Sequence, residues 1–458
     1  MALSTTATAP VVKGMVLTVK VGERLQVHAT AVGQDGDAVA VVDGIDVYAP
    51  HLLVGERALI RIENIGREVP ERRRRAHALV LEVLGPIPER VSPECHDHEL
   101  REGRCSGCPW MIATPAFQRD QKRIWLESEF GLIVSEFVAG PSDYGYRWSS
   151  KRVARSNSGG LRLGSFRRGT HQVADMGSCA VDHPDIAACA RQIAELATTL
   201  AIPAYDERAR TGDLRYVWLK TNGEGEVLVT LITASTTTRV HELAEGLTTA
   251  AGVAWSVQSS EGNAIRGSAV EILRGKGTLE LELAVQRIEV GPLGFLQPNP
   301  RAAELAYREL CSSPSSTARL GFDLYAGAGV TTALLAQVCE RVVACDASIE
   351  SAAALGTPPE TAVSFLEREL AAASRPDIVI ANPPRSGIGE AGCTALLAFA
   401  EAGLGELRIM SCNPAALKRD LERLASGFEL TSLHAYDTLP HTPHVELVAK
   451  LHARARTR

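Results

Sequence analysis

Residues 410–421 read MSCNPAALKRDL: an apolar run ends at Ser411, Cys412 follows, Asn-Pro interrupts the chain, and a helical pattern begins. This puts a thiol at the mouth of a strand. A cysteine is nucleophilic as its thiolate, and a helix starting near Pro414 is expected to turn backbone donors and a positive dipole end toward Cys412, lowering its pKa. Near the C-terminus, residues 440–448 (PHTPHVELV) set Glu446 among the apolar residues of what reads as the last strand. A carboxylate there is costly unless it has a partner or a task. A thiolate that adds to an electron-poor ring carbon and a base that later takes a proton from the neighbouring carbon form a complete addition–elimination pair.

Three further motifs belong to the same sheet edge. Residues 322–330 (FDLYAGAGV) join a strand to a helix through Gly327 and Gly329, so the backbone can approach a ligand closely. Asp346 ends the next strand about twenty residues on, where a carboxylate can accept hydrogen bonds from ribose hydroxyls. A dinucleotide fingerprint would want Gly or Ala at position 332, where Thr332 stands. This combination resembles the S-adenosylmethionine pocket of class I methyltransferases. Residues 377–387 (DIVIANPPRSG) run a buried strand into a rigid double-proline loop that should hold Asn382 over the pocket. Thiol, carboxylate and sulfonium donor together fit methylation at carbon 5 of a pyrimidine.

Helix and strand alternate from about residue 299 onward. Helices are expected over 301–310, 330–338, 390–402 and 414–425, and strands over 320–324, 342–345, 378–381 and 407–411, as in a doubly wound parallel sheet. Residues 16–88 instead alternate apolar and polar in short bursts, the pattern of a small β unit of about five strands, sandwich or OB-like barrel. The proline-rich LGPIPERVSPEC follows, and 95–283 mixes both patterns as an α+β region. The expected domains are therefore 11–90 (OB-like β-barrel), 91–290 (α+β, with a cysteine cluster) and 291–458 (Rossmann-like class I methyltransferase α/β domain). The 458 residues, 45% hydrophobic and 22% charged, are enough for two or three cores. No run of about 18 apolar residues could span a bilayer and no secretory signal opens the chain, so the expectation is cytoplasmic.

In a reducing compartment ten cysteines read as core, ligand or catalyst. Cys95, Cys105 and Cys108 form C-x9-C-x2-C, with Cys179 71 positions beyond. Four thiolates from two segments suit zinc or a [4Fe-4S] cluster. The net charge of −6 argues against coating nucleic acid by bulk attraction. The arginine runs 71–75, 151–155, 162–168 and 454–458 nevertheless suit local phosphate contacts.

MSCNPAALKRDL, DIVIANPPRSG, DLYAGAG, FLQPNP and HTPHVELVAKL, in their order, resemble the S-adenosylmethionine-dependent RNA uracil-5-methyltransferases over nearly the whole chain. The resemblance implies a TRAM domain at the N-terminus, Cys412 as nucleophile and Glu446 as proton acceptor. It places Gln297, Tyr325, Gly327, Gly329, Val330, Asp346 and Asn382 at the cofactor. RNA contacts fall to Arg147, Lys151, Arg167, Arg168 and His171. It also implies [4Fe-4S] rather than zinc on Cys95, Cys105, Cys108 and Cys179, and rRNA rather than tRNA as substrate; a monomer is expected. Two features depart from the family pattern: Asn382 replaces an aspartate, and 351–376 is short, with neither Glu367 nor Glu369 cleanly in the expected acidic position. The expectation is an active enzyme with an altered cofactor pocket. The competing readings are an RNA 5-methylcytidine enzyme, which would want a Pro-Cys loop where this chain has NPP, and an RNA-binding iron–sulfur protein with a relic methyltransferase domain.

Overall fold

The computed structural model describes residues 19–454 except 34, 68–72, 102, 261–266, 268 and 316. Residues 71–72 and 455–458 of the arginine runs, and 11–18 of the expected first domain, lie outside them. The chain divides into two compact units, Met1–Ser92 with Pro109–Phe117, and Pro93–Cys108 with Gln118–Arg458.

The first unit is built on one six-stranded sheet. Its strands are β1 (Arg24–His28), β2 (Ala31–Val32), β3 (Ala38–Val42), β4 (Ile45–Ala49), β5 (Arg57–Ile65) and β6 (Arg75–Gly85), in the order β1-β5-β6-β4-β3-β2. β1 and β2 are separated by two residues yet stand at opposite ends of that order, so the sheet must curl. Thr30 between them donates its N–H to the Val39 carbonyl of β3 at 2.9 Å. Inside lie the alternating apolar positions Val27, Ala40, Val47, Ile60 and Ile62, as a period of two requires.

The second unit contains α1 (Pro115–Phe130) from Gln118 onward, β7 (Glu136–Val138), β8 (Ser149–Asn157), β9 (Gly160–Phe166), β10 (Val173–Asp175) and α2 (Pro184–Thr199). β11 (Leu214–Thr221), β12 (Val227–Thr233), α3 (Val240–Gly246), β13 (Gly252–Val257) and β14 (Glu271–Gly275) follow. These strands, β7 apart, make a seven-stranded sheet, β10-β9-β8-β11-β12-β13-β14, with α2 and α3 packed on one face. A hairpin, β15 (Leu279–Leu283) with β16 (Gln286–Val290), then leads to α4 (Pro300–Leu310).

The last region contains β17 (Ala318–Leu324), α5 (Val330–Leu335), β18 (Cys339–Cys345), α6 (Ile349–Leu355), α7 (Ala362–Ala371) and β19 (Ile378–Ala381). α8 (Gly389–Glu401), β20 (Glu406–Ser411), α9 (Pro414–Leu424), β21 (Phe428–Tyr436) and β22 (Glu446–Ala453) complete it. The sheet order is β18-β17-β19-β20-β22-β21-β7. α4 and α5 bury their apolar faces against one side, and on the other Phe322 meets Phe365 and Phe399 edge-on at 5.1 and 5.7 Å. The expected all-parallel sheet is corrected to a mixed one. β17 to β20 are parallel, but β22 runs antiparallel to both β20 and β21. The short connection 437–445 contains no crossover helix, and without one two neighbouring strands can only be antiparallel. β7 adds at the far edge, parallel to β21, although it comes from the stretch assigned to the central region.

Candidate active site

The reversal at β22 places the carboxylate beside the thiol. Ser411 lies opposite Leu447 in the β20–β22 register, so the next position outward on each strand brings Cys412 across from Glu446. β19 lies on the other side of β20, with Ala381 opposite Ile409, and delivers Asn382 to the same edge. A cavity of about 470 Å³ opens there, with Cys412 and Glu446 in its wall together with Gln297, Tyr325, Gly327, Val330 and Asn382.

The glycine turn is shaped for a ligand. Tyr325 has φ +61°, an uncommon value for a bulky residue at a strand tip. Gly327 has φ +58°, and a Cβ there would meet nothing within 4 Å, which leaves open space along the backbone. Asp346 does not line the cavity: its Oδ2 accepts the Gly327 N–H at 2.9 Å and its Oδ1 that of Ser348 at 2.8 Å, so it braces the turn from behind. Gly329 stands as the N-cap of α5 in the left-handed region, also outside the wall. Behind them, buried Asp323 accepts hydrogen bonds from Thr331 at 2.8 Å and Thr332 at 2.6 Å. Burial pushes Asp323 up to about 7 against the lowering effect of both threonines. Thr332, noted in the sequence only as a missing glycine, thus pins the start of α5 to the tip of β17. Gln297 currently donates to the Tyr307 hydroxyl at 3.1 Å.

Electrostatics correct one expectation. Burial raises the Cys412 pKa and the Glu446 charge adds to the rise, while Arg385 opposes it by charge and by hydrogen bond. The α9 terminus does not reverse this, because Asn413 caps that helix with its own side-chain oxygen, accepting from Ala415 at 3.1 Å and Ala416 at 3.4 Å. Glu446 is pushed up to about 8 by burial, again opposed by Arg385. Burial lowers His444, at the cavity rim, and the Arg385 charge lowers it further.

Arg385 is the residue the sequence reading missed. It sits three places after Asn382 in the NPPR motif, and its side chain faces both Cys412 and Glu446. Its loop is fixed to α9: Asn413 Nδ2 donates to the Arg385 carbonyl at 2.8 Å, and buried Asp420 accepts the N–H groups of Ile388 at 2.7 Å and Gly389 at 3.3 Å.

The four clustered cysteines lie in one neighbourhood. Cys95 Sγ is 3.7 Å from the Ser178 carbonyl, and Asp97 accepts the Ser178 N–H at 2.7 Å, joining the first segment to that of Cys179. Burial pushes Cys108 up to about 12 and also raises Cys105 and Cys179, and neighbouring thiol charges add to each rise. Such a donor set suits a cationic centre, which would stabilise all the thiolates. Among the described residues no three His, Cys, Asp or Glu side chains stand at metal-ligand spacing. Of the expected RNA contacts, Arg168 and His171 are exposed and Arg167 is partly so, in the β9–β10 turn, where the Arg168 N–H donates to Ser106 at 2.9 Å. Lys151 is exposed on β8, its ammonium 4.1 Å from the Trp218 ring centre. Arg147 is only partly exposed and lies 3.7 Å from buried Asp182.

A family model described as tRNA (uracil-5-)-methyltransferase matches residues 372–454, the segment carrying Asn382, Cys412 and Glu446. An RNA methyltransferase of Geobacter sulfurreducens is 30% identical, over 94% of this chain and 90% of its own. The chain belongs to the RNA uracil-5 methyltransferase family. It is an S-adenosylmethionine-dependent enzyme of that family. An RNA methyltransferase of Synechocystis is 26% identical over 94% of this chain and 96% of its own. The fold is also that of the solved Pyrococcus abyssi tRNA (uracil-54, C5)-methyltransferase in complex with S-adenosyl-L-homocysteine, with TM-score 0.71, 23% identity, and coverage of 93% of this chain and 100% of that one. No helix among the described residues is long and apolar enough to cross a membrane.

Proposed function

We propose that this enzyme methylates carbon 5 of a uridine in ribosomal RNA through a covalent adduct on Cys412. The observation that carries this reading is the pairing of Cys412 with Glu446 across β20 and β22 in the wall of one cavity. Bound against Tyr325 and Gly327, S-adenosylmethionine supplies an electrophilic methyl group. The Cys412 thiolate adds to carbon 6 of the uracil and moves an electron pair to carbon 5, which would take the methyl group as its bond to the sulfonium sulfur breaks and S-adenosyl-L-homocysteine leaves. The Glu446 carboxylate then takes the carbon 5 proton, the ring regains its double bond, and Cys412 leaves as thiolate. Arg385 favours the charged form of both groups. Asn382, neutral where the family pattern has a carboxylate, leaves Arg385 without an acid on its own loop and implies weaker cofactor binding.

The target uridine has to leave its stack to reach such a cavity, which favours loops and single strands. The exposed β9–β10 turn with Arg167, Arg168 and His171, together with Lys151 and Arg147, would hold the flanking phosphates. The curled sheet of the first unit is read as the TRAM module, within a division at 11–90, 91–290 and 291–458. Cys95, Cys105, Cys108 and Cys179 would hold a [4Fe-4S] cluster, and the protein would act as a cytoplasmic monomer. The cysteine set favours rRNA. The names of the matching family model and of the solved neighbour favour tRNA as the second reading.

Incubating the protein and S-adenosylmethionine with 5-fluorouridine-substituted rRNA or tRNA tests both points, because fluorine at carbon 5 cannot leave as a proton does. A protein–RNA adduct stable to denaturing gels, formed with rRNA and lost in Cys412→Ala, is expected. Adduct on tRNA alone would move the substrate to the second reading. RNA binding without adduct would favour the relic.

A further inference from the structure

Glu446 is delivered by residues 437–445, which join β21 to β22 and also supply Thr438, Leu439, His444 and Val445 to the cavity wall. This loop is held largely from outside. Lys122 of α1, wholly buried, donates to Asp437 Oδ1 at 2.6 Å, to the His444 carbonyl at 2.8 Å and to the Leu439 carbonyl at 3.3 Å. One turn earlier, Gln118 accepts the His441 backbone N–H at 2.8 Å and lies 3.1 Å from His441 Nδ1. From a third direction the Tyr146 hydroxyl donates to the Pro440 carbonyl at 3.0 Å, and the Tyr144 ring lies 4.7 Å from that of His441. Tyr146 is itself fixed by backbone bonds from Gly145 to Ala180 and from Arg147 to Val181.

The held conformation is a costly one. His441 sits at φ +67°, and the buried atom Asp437 Oδ2 has no hydrogen-bond partner among the described residues. A non-glycine residue in the left-handed region and orphaned buried polar atoms persist only where surrounding structure imposes them. Burial also keeps His441 neutral, lowered to about 4, so its ring is fixed by hydrogen bonding and packing.

We propose that Gln118, Lys122 and Tyr146 are positioning residues whose hydrogen bonds to loop 437–445 set the Glu446 carboxylate against the proton on carbon 5. The proposal rests on the reading of Glu446 as the base. It assigns these residues to the second half of the reaction and not the first: Cys412 directly follows β20, outside the clamped loop, so addition to carbon 6 proceeds without the clamp. A carboxylate displaced by about 1 Å loses on the order of a hundredfold in proton transfer, and the intermediate before that step then accumulates.

The test compares Glu446→Gln, Gln118→Ala and Tyr146→Phe on rRNA and tRNA transcripts containing either ordinary uridine or 5-fluorouridine. Tyr146→Phe removes only one oxygen and guards against a folding defect in Gln118→Ala. All three variants are expected to trap methylated covalent protein–RNA complex on ordinary uridine. Turnover should fall about tenfold or more in the two clamp variants, and both should form the 5-fluorouridine adduct at the wild-type rate. Glu446→Gln trapping complex while neither clamp variant does so would overturn the positioning role alone. Equal slowing of 5-fluorouridine adduct formation in both clamp variants would show general damage and also overturn it. No trapped complex in Glu446→Gln would remove the base assignment, and the positioning role with it.

Discussion

On the proposal that Glu446 is the base, its raised pKa sets the pH dependence of the proton-removal step. A base works as the carboxylate, and a group poised at about 8 is about one-tenth ionised at pH 7 and half ionised at pH 8. Collapse of the methylated adduct consumes no thiolate, so its rate isolates this carboxylate from Cys412, whose pKa burial also raises. The rate should rise about fivefold from pH 7 to 8, about twofold more above it, and then level off. The assay is single-turnover release of tritium from RNA carrying [5-³H]uridine, with enzyme in excess and adduct followed in parallel on denaturing gels. Glu446→Gln should lower the collapse rate by about 10²–10⁴-fold and flatten the profile. A wild-type collapse rate that is flat between pH 6.5 and 9, or a Glu446→Gln enzyme with the wild-type plateau, would refute the assignment.

Arg385→Ala removes the charge that holds both reacting groups down, so the pH–rate profile should move to higher pH, with activity lost at pH 7 partly recovered at pH 9; an unmoved profile would count against its placement. Asn382→Asp restores a carboxylate beside Arg385 and should lower the KM for S-adenosylmethionine while moving the same profile to higher pH, read by steady-state kinetics. The stability of Glu446→Gln relative to wild type follows from linkage. The folded pKa of about 8 lies above the ordinary 4.5, so the wild type loses stability as pH rises through that window. The Tm advantage of the variant should therefore widen from pH 5 to 8 and stay constant above. Gly387→Ala forces a Cβ to within 2.4 Å of Asp420 Oδ2 at φ +88°, and should cost ~1–3 kcal/mol in thermal or urea unfolding.

Local signals carried most of the catalytic region. The strand at 378–381 and the helices beginning at 300, 330, 389 and 414 are legible because each pairs an apolar run with a glycine turn, an N-cap or an Asn-Pro break, all short-range chemistry. The same signals marked Cys412 and Asn382, a carboxylate in an apolar strand marked Glu446, and the family resemblance supplied Gln297 and Tyr325; the structure gathers all five around one cavity. The distinct alternating pattern of 16–88 matches the separate sheet found there.

Other features depend on residues far apart in the chain. Lys122 and Asp437 are 315 positions apart, and no pattern around either names the other. β7 joins the catalytic sheet from a segment read as central, because strand pairing is decided by which edge is open once the rest has folded. The sign of the Cys412 shift came out opposite to the local expectation. The helix terminus is visible in sequence, but the desolvation and the neighbouring Glu446 charge that outweigh it exist only after β22 has turned back along β20. Sequence by itself determined which groups could react. Tertiary structure decided where they stand and in which protonation state, since burial and distance belong to the fold and not to any one segment.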